Sequence, residues 1–151
     1  MAMPLIDPWS KFLATPLRLV VVATGSRDWR TPPERCGVLD WPSRSVVLLH
    51  GGAIGADQMM AEYAAKQGWQ VLPAFKPDYE SYPGRVAPKI RNGQMIAEAV
   101  RLGLTYDVPV LCQALWRDHS GGTAHTIGLA RQHDLGVSVV YDCDCHGLIG
   151  T

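Results

Sequence analysis

The chain has 151 residues, with 14 Lys plus Arg against 14 Asp plus Glu, 47% hydrophobic residues and only 19% charged ones. It is too apolar and too weakly charged for a disordered segment, and it lacks the basic excess of a protein that clamps nucleic acid along its phosphates. A chain of this length suits one domain, able to bury about two-thirds of its extended surface without disulfides or metal staples.

Residues 1–16 contain Pro4, Pro8 and Pro16 and show no sustained period, so they read as an irregular arm. Leu17 to Thr24 is the first expected strand, and it ends in Gly25-Ser26-Arg27-Asp28-Trp29. Its apolar stretch is too short for a membrane helix or a signal-peptide core, which points to a cytoplasmic protein with no membrane contact. Residues 30–44 carry Pro32, Pro33 and Pro42 and leave room for only a short helix. Val46 to His50 is a second strand and runs into Gly51-Gly52. Gly55 to Gln67 has Met60, Ala61, Ala64 and Ala65 at helical spacing, with Gly68 as its stop.

Gln70 to Phe75 is a weaker third strand. Pro88 to Leu102 is a helix with Ile96, Ala99 and Val100 on one side and Gly103 as its stop. Val108 to Leu115 is the fourth strand, Gly122 to Leu135 a helix closed by Gly136, and Val137 to Tyr141 the fifth strand. Residues 142–151 form a tail. Apolar runs of this kind, alternating with helices, predict an α/β fold over residues 17–141. The expected form is a doubly wound, Rossmann-like parallel sheet of about five strands with helices on both faces.

Cys112 lies in an apolar run and reads as a core residue. In Cys143-Asp144-Cys145-His146 a single residue separates the cysteines, too few for structural zinc, and no second pair completes a ligand set. No metal and no cofactor are expected.

Ligands of open α/β sheets bind beyond the carboxyl ends of the strands. Three such loops are rich in Gly or small polar residues: Gly25-Ser26-Arg27, Gly51-Gly52-Ala53-Ile54-Gly55-Ala56-Asp57, and Asp118-His119-Ser120-Gly121-Gly122-Thr123. Free amides and a helix dipole at these loops would favour an anion. Neither the dinucleotide fingerprint nor the P-loop is present, because Ala53 breaks the first and Ala56-Asp57 stands where the second needs Gly-Lys. Arg91 and Asn92, the latter the only asparagine, open a helix where they could meet a phosphate, a ribose or a base edge.

Ser26 and Ser120 read as hydroxyl donors to phosphate, and His50 as a structural residue beside the pocket. Asp118, His119 and His125 cluster near the last loop, where general acid–base work and simple packing are both open. Trp29, Tyr79, Tyr82 and Trp116 are candidates to stack a base.

In order along the chain, four stretches resemble the YspA/YpsA-related SLOG family, a Rossmann-like group that also includes LOG phosphoribohydrolases and the DNA-processing protein DprA. They are Gly25-Ser26-Arg27-Asp28-Trp29, His50-Gly51-Gly52-Ala53-Ile54-Gly55-Ala56-Asp57, Ile90-Arg91-Asn92 with Met95, and Ser120-Gly121-Gly122-Thr123. The resemblance implies binding of a nucleotide or nucleotide-derived small molecule at the carboxyl edge of the sheet, by a sensor or sequestering protein, for instance in phage–host conflict. The site it implies comprises Gly25, Ser26, Arg27, Gly51, Gly52, Gly55, Asp57, Arg91, Asn92, Ser120, Gly121, Gly122 and Thr123. It also implies a homodimer.

LOG enzymes pair an arginine of an Arg-Lys-x-x-Met motif with a glutamate just after Gly-Gly-x-Gly-Thr. Arg91 and Met95 match the first motif, with Asn92 in place of lysine. Gly122-Thr123 matches the end of the second, but the glutamate position falls near Thr126 and residues 119–133 hold no carboxylate. A LOG-like nucleotide hydrolase is therefore the alternative reading, with its catalytic residues unassigned. Single-stranded DNA binding is the third, opposed by the absence of a basic excess.

The charge is uneven along the chain. Residues 76–101 hold Lys76, Arg85, Lys89, Arg91 and Arg101 against Asp78, Glu80 and Glu98. This local surplus suits one phosphorylated ligand rather than a polymer.

Overall fold

The computed structural model describes residues 16–38, 44–117 and 121–142. Residues 1–15 of the expected arm, Asp118, His119, Ser120 and the cysteine-bearing residues 143–151 lie outside these residues. Five strands form one sheet: β1 (Leu19–Gly25), β2 (Val46–Leu49), β3 (Gln70–Val71), β4 (Val110–Arg117) and β5 (Gly136–Asp142). Every strand pair is parallel, in the order β3-β2-β1-β4-β5. Three helices join them: α1 (Ala56–Lys66), α2 (Ala87–Tyr106) and α3 (Gly121–Gln132). Between β1 and β2 the chain makes a single 3-10 turn at Pro33–Arg35. This is the doubly wound, Rossmann-like α/β arrangement expected from the alternation of apolar runs.

The sheet is covered on both faces. Val21, Leu48 and Leu115 point toward α1, where Met60, Tyr63 and Ala64 join Trp29 and Trp69 in one core. Val20, Val22, Leu49 and Cys112 point the other way, against Met95, Ile96, Ala99 and Leu102 of α2 and Ala130 of α3. Crossovers between parallel strands are right-handed. Winding outward from β1 to β3 therefore puts α1 on one face, and winding back through β4 to β5 puts α2 and α3 on the other. The direction reverses between β1 and β4, and their carboxyl ends open a crevice there.

Several element boundaries differ from the sequence expectation for identifiable reasons. β3 is only two residues long because the register slips by one residue beyond it: after Leu72 the regular ladder donor to β2 is Ala74, but the amide that bonds His50 is that of Phe75. The chain still runs beside β2, with amide bonds from Leu72 to Leu48 and from Phe75 to His50. Gly103 does not stop α2. A Cβ there would lie 2.6 Å from Val110 Cγ2, so the glycine lets the helix pack closely on the start of β4. The stop is instead Asp107, in the left-handed conformation at φ 54°. Similarly, α3 ends before a left-handed Asp134 at φ 57°, and Gly136, expected as its stop, is the first residue of β5. Among the described residues no helix is long and apolar enough to cross a membrane.

Candidate functional site

The buried face of each helix carries a polar residue within its first two turns. On α1 it runs Asp57, Met60, Ala64; on α2, Asn92, Met95, Ile96, Ala99; on α3, Thr123, Thr126, Ile127, Ala130. These are helical spacings, so each polar residue shares the face that meets the sheet. Asp57 and Thr123 sit in the first turn of their helices and Asn92 in the second turn of its own, at the end of the sheet where the crevice opens. Asp57, Asn92 and Thr123 all line one cavity of about 430 Å³.

The end of β1 forms the cavity's back wall through Thr24 and Gly25, followed by Arg27 and Asp28. Ala53 contributes from the loop before α1, and Pro88, Arg91 and Met95 from α2. Gly122 closes it at the start of α3. Of the site residues expected from sequence, Gly25, Arg27, Asp57, Arg91, Asn92, Gly122 and Thr123 are thus brought together, and Gly121 is adjacent as the first residue of α3. Ser120 lies outside the described residues. Asp28, Ala53 and Pro88 join them in the lining without being expected site residues, the first two from the loops after β1 and β2.

Gly51, Gly52 and Gly55 do not line the cavity; they shape its floor. The amide of Gly51 donates to Asp57 Oδ2 at 3.2 Å and that of Ala53 donates to the same oxygen at 3.3 Å. The amide of Gly52 donates to His50 Nδ1 at 3.1 Å, and that of Ala56 to the Ser26 carbonyl at 3.1 Å. The expectation of free loop amides for an anion is therefore corrected at these four positions. The chain's own carboxylate and imidazole already occupy the amides of Gly51, Gly52 and Ala53, and the Ser26 carbonyl that of Ala56.

Gly55 adopts φ 83° where the loop enters α1, and a Cβ there would stand 2.2 Å from the Arg27 carbonyl oxygen. Ser26 is also reassigned. It is buried, its hydroxyl donates to the Arg117 carbonyl at 2.8 Å and it accepts from the Arg117 amide at 2.7 Å. Its donor proton is committed to tying the end of β1 to the end of β4.

Arg91 and Asp57 meet across Gly51. Arg91 Nη1 donates to the carbonyls of Gly51 at 3.1 Å and Phe75 at 3.0 Å, while its Nε donates to Asn92 Oδ1 at 2.8 Å. A Cβ on Gly51 would fall 2.3 Å from Arg91 Nη1 and 3.0 Å from Asp57 Oδ2. Only a residue without a side chain lets both groups reach the same stretch of backbone.

These bonds use three of the five guanidinium N–H groups. The remaining two, on Nη2, have no partner among the described residues, and Nη2 is not sealed from solvent. Asp57 Oδ1 is in the same position, without a partner yet accessible. Both residues line the cavity and keep hydrogen-bonding capacity that no described group uses.

Burial raises the Asp57 pKa from its ordinary 3.8 to about 6, against the opposing pull of the Ala53 amide, Arg91, the Gly51 amide and Arg27. Burial pulls the Arg91 guanidinium below its ordinary value, and Asp57 partly restores it. Burial also lowers His50, whose Nδ1 acceptor role leaves Nε2 to carry the proton toward the Leu72 carbonyl. His50 is thus a neutral strut between β2 and the chain after β3.

The aromatic candidates separate into two groups. Trp29 is buried in the α1-side core and donates its indole N–H to the Thr31 carbonyl at 2.6 Å. Trp116 stacks on Tyr141, with ring centroids 5.8 Å apart. Neither lines the cavity. Tyr79 and Tyr82 remain exposed on the segment before α2, and Tyr79 is near enough to Arg91 to act on its charge. Cys112 is fully buried, and burial pushes its thiol up to about 12, as suits an inert core residue. No group of three or more His, Cys, Asp or Glu able to hold a metal occurs among the described residues.

A parallel doubly wound domain with two arginines and a buried carboxylate at its β1/β4 crevice is a Rossmann-like domain with a polar site at its topological switch point. Residues 19–82, from β1 to the segment before α2, match the family model YAcAr, the YspA, cpYpsA-related SLOG family. The matched segment contains the Gly25–Trp29 and His50–Asp57 motifs, so over these residues the chain is similar to that family. The match does not extend to Arg91, Asn92 or α3, which enter the site through the fold. No curated protein and no solved structure matched the chain.

Proposed function

We propose that the chain binds a nucleotide or nucleotide-derived small molecule in the β1/β4 crevice, as a sensor or a sequestering protein. One observation carries this reading: Arg91 and Asp57 line one cavity, and Nη2 of the first and Oδ1 of the second are accessible with their hydrogen-bonding capacity unused. An oriented guanidinium edge suits a phosphate oxygen pair. Arg27 and the first-turn amides of α3 add positive potential on the same cavity. A buried carboxylate oxygen suits a hydroxyl or N–H donor, so the ligand should carry an anionic end and a donor-bearing end. A nucleoside phosphate has both, and the cavity falls within the usual range of about 300–1,000 Å³ for small-molecule sites.

A second reading, nucleotide hydrolysis, is favoured by Asp57. A carboxylate with a pKa of about 6 and one oxygen facing the cavity suits a general base near neutrality. Thr126, near the LOG glutamate position, is buried and donates to the Gly122 carbonyl at 3.2 Å, so it offers no acid–base group.

The test is calorimetric titration with nucleoside mono-, di- and triphosphates, together with mass spectrometry of small molecules released from the purified protein. Binding with the nucleotide recovered intact supports the first reading, and release of base or phosphate supports the second. Failure of every nucleotide to bind refutes both.

A further inference from the structure

The side of Arg91 that faces away from the cavity is held by a chain of hydrogen bonds with only one consistent direction. Arg91 Nε can only donate, so the Asn92 oxygen must face it, at 2.8 Å. That turns the Asn92 amide nitrogen toward His125 Nδ1, at 3.2 Å. An amide N–H₂ can only donate, so Nδ1 must be the acceptor and the ring proton must sit on Nε2. Asn92 is buried between the two helices, with no other side-chain hydrogen bond, and His125 on α3 is half-buried. His125 itself does not line the cavity.

We infer that His125 is a positioning residue: through Asn92 it fixes the rotation of the Arg91 guanidinium and so the direction in which Nη2 faces the ligand. A proton on Nδ1 would set two donors against each other and force the Asn92 amide to turn. Its nitrogen would then oppose Arg91 Nε, and the guanidinium would lose one of its three anchors. The neutral form of His125 is therefore the one that holds Arg91.

Its surroundings favour that form. Burial lowers the His125 pKa, and Lys89 on α2 lowers it further. Lys89 is the charged group acting on the ring from α2, and Arg91 acts through Asn92. The inference deepens the nucleotide-binding reading and rests on it only for its effect on affinity.

The first experiment needs no ligand. Long-range ¹⁵N–¹H spectra of the intact chain should show His125 as the Nε2–H tautomer. In Arg91→Lys, which keeps the charge but loses the Nε donor, the Asn92 amide is free to turn and offer its oxygen to a protonated Nδ1. The His125 pKa should then rise by at least roughly half a pH unit. A protonated Nδ1 in the neutral ring, or an unchanged pKa in Arg91→Lys, would overturn the inference.

The second experiment uses adenosine monophosphate as the probe at pH 7.5. His125→Phe should weaken binding about fivefold, the loss expected for loosening one charge-assisted bond. His125→Asn, which keeps an acceptor near the Nδ1 position and does not titrate, should recover most of it. Affinity in His125→Phe equal to that of the parent would overturn the positioning role. Absence of adenosine monophosphate binding to every form, with the spectra as expected, would count against the ligand reading and leave the relay standing.

Discussion

Asp57→Asn should stabilise the fold at neutral pH while weakening the site. The carboxyl pKa rises from 3.8 to about 6 on folding. Between these values the folded chain keeps a proton that the unfolded chain has released. Stability therefore falls as pH rises through that window and stays level above it. At about 1.4 kcal/mol per pKa unit, the cost of the charged carboxylate above pH 6 is about 3 kcal/mol. Asparagine keeps an oxygen to accept the Gly51 and Ala53 amides without that cost.

For a chain of this size such a gain corresponds to a midpoint roughly 5–10 °C higher. Urea unfolding of both forms from pH 4 to 8 isolates the effect, since their difference reports Asp57 alone. The asparagine form should gain steadily up to about pH 6 and then hold its advantage. Equal stability at pH 7.5, or a variant less stable than the parent there, would refute the claim that burial dominates this carboxylate.

Gly51→Ala should displace the Arg91 guanidinium, because the added Cβ would overlap Nη1. A loss of about 1–2 kcal/mol in urea unfolding is expected, with an additional loss of affinity for any nucleotide that binds the parent. Gly103→Ala sets two effects against each other: helix propensity favours alanine by about 1 kcal/mol, but the Cβ would press on Val110 Cγ2 and the Val108 carbonyl. Crowding should win, with a net loss of about 1–2 kcal/mol, and a gain in stability would show that α2 has room to shift. Cys112 should stay unmodified when the native protein is treated with a thiol reagent at pH 8 and react once urea is added, as peptide mapping would show.

The strands are legible because a parallel sheet covered on both faces demands near-continuous apolar runs; Leu19–Ala23 and Val46–Leu49 are such runs, and Val110–Leu115 is broken only by Gln113. The loops of the site were legible as clusters of glycine at strand ends. What those glycines do was not. Gly51 and Gly55 look like phosphate-cradling residues along the chain, yet one makes room for Arg91 and Asp57 and the other lets the loop pass the Arg27 carbonyl.

Gly51 answers to Arg91 on a helix some 40 residues on and Gly55 to the loop after β1, and no local pattern reports either. Ser26 was misread for the same reason, since its partner is Arg117 on another strand. Gly103 and Gly136 misled as helix stops because glycine serves close packing as well as termination. One signal is present in the sequence: Asp57, Asn92 and Thr123 each stand within the first two turns of a helix, on the face that is buried. A polar residue at that place, on three helices entering one sheet edge, marks the groups that face the crevice.

The central claim is that a nucleotide binds the β1/β4 crevice through Arg91. Calorimetric titration of the parent chain and of Arg91→Ala with the same nucleoside monophosphate tests it most directly. The parent should bind with one site per chain, and removing the guanidinium should weaken binding at least about tenfold, as for loss of a charge-assisted contact. Unchanged affinity in Arg91→Ala would place the ligand elsewhere on the molecule and contradict the account.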